Sequence, residues 1–272
     1  MKNKIKVLFG RWRQHFDHYL SLYGYRLVKA EAMRSLNVAS LVDSLCPNNE
    51  AIYFLQIGAN DGVSEDPLAF FRQRKEWSGF CLEPNPAIFP KLQNNLREAG
   101  NGNVQAIQVA LGDTDGILPF FVVNAAKAKD LHLPWYMDKC SSLSLERLKA
   151  EISKCGSVIG KKIDDLIETI PVQVIPFETL CGRYNISRVD LLLLDVEGLD
   201  GKLLEQFPLE RFLPRIVIVE WDKMTDAELK EIFDRFRRAG YCWMFAERDL
   251  VLIKTEYLTR SSIPSNWLRA TI

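Results

Sequence analysis

Two hydrophobic periods run along this chain, and the change from one to the other marks its elements. Through residues 1–45, apolar side chains such as Phe9, Trp12, Phe16 and Tyr19 recur every three or four positions, which predicts helix. Cys46-Pro47-Asn48-Asn49-Glu50 predicts a loop and a boundary. From residue 51, short apolar runs alternate with amphipathic ones. Tyr53–Ile57, Gly79–Glu83, Val104–Ala110, Val189–Asp195 and Ile216–Trp221 predict buried strands. Glu65–Trp77, Pro86–Ala99, Glu178–Tyr184, Asp200–Phe207 and Thr225–Ala239 predict helices. Ile117–Val123 and Val172–Ile175 add strands, Glu146–Ile170 reads as partly helical, and Tyr241–Ala246 with Leu250–Lys254 forms a closing pair.

This alternation predicts an α/β fold: a mostly parallel sheet with helices on both faces. The short polar link Glu247-Arg248-Asp249 predicts an antiparallel edge strand. The expected organisation is an N-terminal helical extension over 1–50 and one catalytic domain over 51–272. Within it, the less regular stretch 124–171 forms an insert or lid suited to setting specificity. Ligands in such sheets bind beyond the carboxyl ends of the strands, where the strand order reverses. Candidate chemistry should therefore follow a strand.

Charge refines the picture. Lysine plus arginine equals aspartate plus glutamate, 35 of each, which argues against a nucleic-acid binder. Yet residues 1–34 hold eight basic and two acidic side chains, a net of +6, so the remainder carries −6. The basic segment is a candidate for peripheral contact with an anionic surface, or equally a solvated helix. No apolar run approaches the roughly 20 residues of a membrane span. The stretch after Lys2, Lys4 and Lys6 is interrupted too soon, by Arg11 and Arg13, for a secretory signal. The six cysteines show no C-x-x-C pair and no zinc-like spacing. A reduced, cytoplasmic protein is the expectation. Oligomeric state is not legible.

The first strand ends in Gln56-Ile57-Gly58-Ala59-Asn60-Asp61-Gly62. Gly58 and Gly62 permit a tight turn and a close approach of backbone N–H groups to an anionic ligand group. The dinucleotide pattern G-x-G-x-x-G fails, with Asn60 and Val63 at its second and third glycines. The second strand ends in Cys81-Leu82-Glu83-Pro84-Asn85-Pro86. Glu83 lies about 20 residues beyond Gly62, the spacing of an acid that accepts from ribose hydroxyls. Pro84 and Pro86 stiffen the turn.

These motifs resemble the class I S-adenosylmethionine-dependent methyltransferases, which implies a Rossmann-like fold with a mostly parallel seven-stranded sheet. More closely, "FLQIGANDG", "GFCLEPNP", "VALGDTDG" and "VDLLLLDVEG" are similar to the FkbM family of methyltransferases, over roughly residues 51–246. The resemblance implies that Gly58, Asn60, Asp61 and Gly62 surround the methionine part of S-adenosylmethionine. It implies Glu83 on the ribose with Asn85 nearby, and Ala110, Leu111 and Asp113 near the adenine. A Gly-Asp turn explains Asp113 equally. Many class I enzymes carry an acid where this chain has Gln56, which can accept a hydrogen bond but cannot pair ionically with the cofactor's amino group.

Asp195 follows four leucines at a strand's carboxyl end, and Glu197 lies two residues on, on the same side if the strand continues. Neighbouring carboxylates raise each other's proton affinity, which suits a general base, a metal site or an anionic wall beside a sulfonium. His132 is the alternative base; its neighbours Leu131, Leu133, Pro134 and Trp135 read equally as a packed lid. A divalent metal held by Asp195 and Glu197 is possible but not favoured. Ser141 and Ser142 are candidates to orient the acceptor, Glu220 to line the site, and Trp221 to wall it or to sit in the core.

The expected activity is methyl transfer, most simply to a hydroxyl of a sugar, glycan or secondary metabolite; the acceptor class rests on the resemblance alone. N-methylation stays open, and a nucleotide-dependent oxidoreductase and a non-catalytic cofactor-binding protein are the alternatives.

Overall fold

The computed structural model of the chain describes residues 37–134, 137, 140–155, 163–246 and 248–258. The predicted N-terminal helix, as far as residue 36, lies outside the described residues, as do Trp135 and parts of the insert. Two sheets organise the rest.

The main sheet contains β1 (Ile52–Ile57), β2 (Trp77–Leu82), β3 (Val104–Ile107), β8 (Leu191–Leu194), β9 (Ile216–Glu220), β10 (Tyr241–Ala246) and β11 (Asp249–Lys254), in the order β10-β11-β9-β8-β1-β2-β3. Strands β3, β2, β1, β8 and β9 are parallel neighbours. The sheet is therefore Rossmann-like and mostly parallel, as expected. The reversed strand is β11, which pairs antiparallel with both β9 and β10. It thus lies one place in from the edge rather than at it. Its run Leu250-Val251-Leu252-Ile253 is wholly buried, whereas β10, at the edge, is only partly covered.

Alternation of side chains explains why the leucine run has no polar position. Leu192 and Leu194 join one core layer with Leu55, Ile57, Val217 and Val219. Leu191 and Leu193 join the other with Ile52, Phe54, Ile216 and Ile218. Helices α5 (Phe177–Arg183), α6 (Asp200–Gln206), α7 (Leu209–Phe212) and α8 (Asp226–Arg238) contribute to the first layer, and α1 (Val38–Leu45) and α2 (Phe89–Glu98) to the second. Helix α8 begins at a capping box between Thr225 and Glu228, which satisfies N–H groups of its first turn. Helix α1 falls within the expected extension, yet Leu41, Val42 and Leu45 are buried in the domain's own core.

Register sets the site. Ile57 pairs with Leu82 on one side and Leu194 on the other, and Leu194 pairs with Val219. The next residue of each strand, Gly58, Glu83, Asp195 and Glu220, therefore reaches one rim, at the strand-order reversal between β1 and β8.

The second sheet, β4 (Ala110–Leu111), β7 (Ile167–Ile175), β5 (Gly116–Val123) and β6 (Ser141–Ser142), draws on the insert for β6 and the start of β7. With α3 (Ala125–Asp130) and α4 (Leu145–Ser153), it corrects the expected irregularity: β7 begins at Ile167 and pairs along β5. A second expectation fails at Glu65–Trp77, which forms turns and one short 3-10 segment, Phe71–Gln73. Asp66 there accepts from the Leu68 amide at 2.7 Å and from Gln56 Nε2 at 2.9 Å. Its polar groups serve the glycine loop rather than a helix.

Candidate active site

The rim opens into a cleft lined by Gly58, Asn60, Glu83, Asp195 and Glu197. The glycine loop forms one wall. Gly58 and Ala59 donate to the Leu82 carbonyl at 3.0 and 2.8 Å. Gly58 has φ +80°, and a β-carbon there would stand 1.8 Å from the Asp195 carbonyl oxygen. Asn60, at φ +48°, lines the cleft. Asp61 is turned inward on the loop: its carboxylate accepts from Val63 N, Ser64 N and Ser64 Oγ at 2.7–3.0 Å. Gly62, at φ +74°, leaves room for Leu92, whose Cδ1 would lie 2.7 Å from an added β-carbon.

Gln56 does not line the cleft. It is 2% exposed and bonded to Arg72 and Asp66 behind the loop. Arg72 also reaches the Gly62 carbonyl and pairs with Asp66. This buried network supports the loop from beneath and includes a carboxylate, supplied by Asp66 rather than by residue 56.

Glu83 is buried at the rim. Its two oxygens accept from Asn85 N at 2.8 Å and Asn60 N at 3.0 Å, linking the loops after β2 and β1. Burial pushes the Glu83 carboxyl up to about 7, and the two backbone donors offset part of that rise. Pro84, Ala110 and Leu111 line the cleft beside Phe120. Asn85 and Asp113 do not line it. The Asn85 side chain accepts from Ala87 N at 2.9 Å, while Asp113 reaches out to Lys202 and Gln206 on α6. The Lys202 contact holds its carboxyl below the usual range.

Asp195 and Glu197 both line the cleft, but by a different route from the one expected. Strand β8 stops at Leu194, and Glu197 turns back with φ +55°. The side chain of Asp195 is open to the cleft. Loss of water raises its proton affinity well above the ordinary carboxyl range; Glu220, Asp200 and Glu197 add to that, and Lys223 opposes it. Among the described residues, nothing donates a hydrogen bond to the Asp195 carboxyl.

A second cleft adjoins the first and shares Glu197 with it. Ser142, Arg147, Glu151, Lys154, Asp222 and Lys223 supply its polar lining.

The family profile described as "Methyltransferase FkbM domain" matches residues 56–242, well over half of the chain. The chain belongs to the FkbM methyltransferase family. It is a methyltransferase that uses S-adenosylmethionine. The rim fits that cofactor's parts: a glycine loop, a buried acid and an apolar wall. No curated protein matches the chain. Among solved structures, a fibrillarin pre-rRNA processing protein from Methanococcus jannaschii is 14% identical at a TM-score of 0.36, covering 85% of this chain and 78% of that one. A TehB-like SAM-dependent methyltransferase from Corynebacterium glutamicum is 11% identical at 0.35, with 93% and 100% covered. An Aeropyrum pernix fibrillarin with natively bound S-adenosyl-L-methionine is 15% identical at 0.35, with 82% and 74% covered. Likeness at this level carries no argument about substrate.

In this FkbM protein the candidate acceptor residues divide. Ser141 lines the first cleft and Ser142 the second. Glu220 is buried, its Oε1 paired with Arg248. Trp221 packs on Phe245, ring centroids 4.6 Å apart, and lines neither cleft. His132 is on an exposed turn after α3, outside both linings. Among the described residues, no group of three or more His, Cys, Asp or Glu is arranged to hold a metal ion, and no helix is long and apolar enough to cross a membrane.

Sequence reasoning missed four polar residues. Asp66 and Arg72 fell within a predicted helix. Asp200 is the acid that organises the turn after β8, accepting from Val196 N at 3.0 Å and Gly198 N at 2.9 Å. Lys223 joins Glu197 to Glu220. Only its three-residue spacing from Glu220 offered a signal.

Proposed function

We propose that this FkbM-family enzyme is an O-methyltransferase acting on a hydroxyl of a sugar, a glycan or a secondary metabolite. The observation that carries this reading is Asp195: a carboxyl with raised proton affinity, open to the cleft and, among the described residues, without a hydrogen-bond donor. A hydroxyl is a poor nucleophile, and a positioned base speeds its attack by roughly 10²–10⁴-fold. S-adenosylmethionine supplies the methyl group on a cationic sulfonium.

The chain's own residues do the rest. The Gly58–Gly62 loop receives the methionine part, and Glu83 accepts from the ribose. Pro84, Ala110, Leu111 and Phe120 give an apolar wall for the adenine. The acceptor enters by the second cleft, past Ser142 and Glu197, so that its hydroxyl meets Asp195 where the clefts join. Asp195 takes the hydroxyl proton as the oxygen attacks in line. His132 is left out of this role because it lies outside both clefts. Residues 51–272, together with α1 packed into their core, form the catalytic domain in a cytoplasmic protein, and the basic segment 1–34 is a handle for an anionic surface.

Incubating cell extract with the enzyme and methyl-labelled cofactor, then locating the label by mass spectrometry, tests the reading. Label on the oxygen of a small molecule or glycan supports it, and label on nitrogen sinks it. Asp195→Asn should abolish labelling while retaining cofactor binding. Undiminished labelling by that variant removes Asp195 as the base.

A further inference from the structure

Several acids converge where the two clefts meet, and among the described residues all but one have partners. Lys223 stands in the turn after β9, its side chain only 12% exposed. Its Nζ contacts Glu197 Oε2 and lies 3.0 Å from Glu220 Oε2, outside hydrogen-bonding alignment with the latter. Arg248 covers the other side, pairing with Glu220 Oε1 and placing Nε 3.2 Å from Asp222 Oδ2. Asp200 spends both oxygens on the backbone of its own turn. Asp195 is left.

Burying an ammonium is costly unless strong partners meet it. Lys223 meets two carboxylates, and it does so from the second cleft, without lining the first. It therefore fixes Glu197, the residue common to both clefts, and sets its charge 3.0 Å from Glu220 Oε2, the oxygen that Arg248 leaves free.

We propose that Lys223 is the positioning residue that selects Asp195 as proton acceptor: it engages Glu197 and Glu220 and leaves Asp195 as the carboxyl open to a ligand at the junction. This deepens the O-methyltransferase reading and rests on it. A mere strut between the turns after β8 and β9 would hold the fold without governing the proton affinity of Asp195.

The groups facing Asp195 are Glu197 from its own turn, Asp200 from α6, and Glu220 and Lys223 from β9 and the turn that follows. Arg248 acts through Glu220, and Arg147 of α4 packs against Gly198. Removing Lys223 withdraws a cation from this set, so Asp195 should hold its proton to higher pH. Removing the charge of Glu197 withdraws an anion and frees Lys223, so the proton should leave at lower pH.

S-adenosylmethionine and S-adenosylhomocysteine differ in the charge at sulfur and share their amino, carboxyl and ribose groups. The ratio of their dissociation constants, measured calorimetrically from pH 5 to 9 on the full chain, therefore reads the charge beside the sulfur and cancels the titration of Glu83. In the unaltered protein the methylated ligand should gain on the demethylated one as pH rises, through a midpoint that Asp195→Asn removes. Lys223→Met should move that midpoint up by about one pH unit. Lys223→Arg should leave it near its original place, and Glu197→Gln should move it down. The Glu197→Gln and Lys223→Arg arms decide the matter if Lys223→Met does not fold. Both ligands binding normally with unmoved midpoints overturns the role of Lys223 alone. Failure of the unaltered chain to bind either ligand overturns the cofactor reading, and the role of Lys223 with it.

Discussion

Gly58 rests its α-carbon against the backbone carbonyl of Asp195; a β-carbon there would lie 1.8 Å from that oxygen. The cofactor loop and the candidate base are thus in direct contact across two paired parallel strands. Gly58→Ala forces this contact apart and places a β-carbon at φ +80°. The left-handed conformation costs about 1–2 kcal/mol and overpacking about 1–3 kcal/mol. Urea denaturation should show a loss on that scale, and calorimetry a loss of cofactor binding.

Glu83 makes both stability and binding pH-dependent. A buried carboxyl pushed up to about 7 keeps its proton where the unfolded chain has lost it. Its contribution to stability is therefore full below its ordinary value of 4.5 and is lost as pH rises through about 7. Ribose hydroxyls donate to the ionised form, so cofactor affinity should rise over the same interval. Glu83→Gln should flatten both profiles, by thermal melts and by calorimetry. At pH 8 it should weaken cofactor binding about tenfold, as for a lost hydrogen bond to a charged group.

Arg72 is the test of the support beneath the loop. Removing one partner of a buried ion pair costs about 3–5 kcal/mol. Arg72→Met should approach that loss, because Asp66 remains buried at 4% side-chain exposure. The double variant Arg72→Met with Asp66→Leu should recover part of it in denaturant titrations. Additive losses would show that the pair is not coupled.

The core takes in residues before 51. Leu41, Val42 and Leu45 of α1 are buried, and Arg215 donates to the Leu45 carbonyl at 2.6 Å and to Glu50 Oε2 at 2.8 Å. Burying each such side chain contributes about 1.5–3 kcal/mol as an upper estimate. A chain starting at residue 51 should melt well below one starting at 37, and equal melting temperatures would restore the earlier boundary.

The sequence by itself determined the strands of the main sheet, the glycine loop and the strand-end acids. Apolar runs such as Leu191–Leu194 have one compact solution between two core layers, and Gly58 and Gly62 mark positive φ wherever they occur. The long helix α8 was legible for the same local reason: its capping box and its closing Gly240 lie within its own segment. Tertiary structure alone decided what the polar side chains do. Gln56 turned from a cofactor contact into a support for the loop because Arg72 and Asp66, remote from the strand, converge on it. Asp113 and Trp221 left the site because α6 and Phe245 offered them partners. Lys223 entered it because β8 and β9 are neighbours in register, though they are separated in sequence by α6 and α7. Periodicity records which face of an element is buried; it does not record which charges meet across faces, and at this rim those meetings distinguish Asp195 from the acids around it.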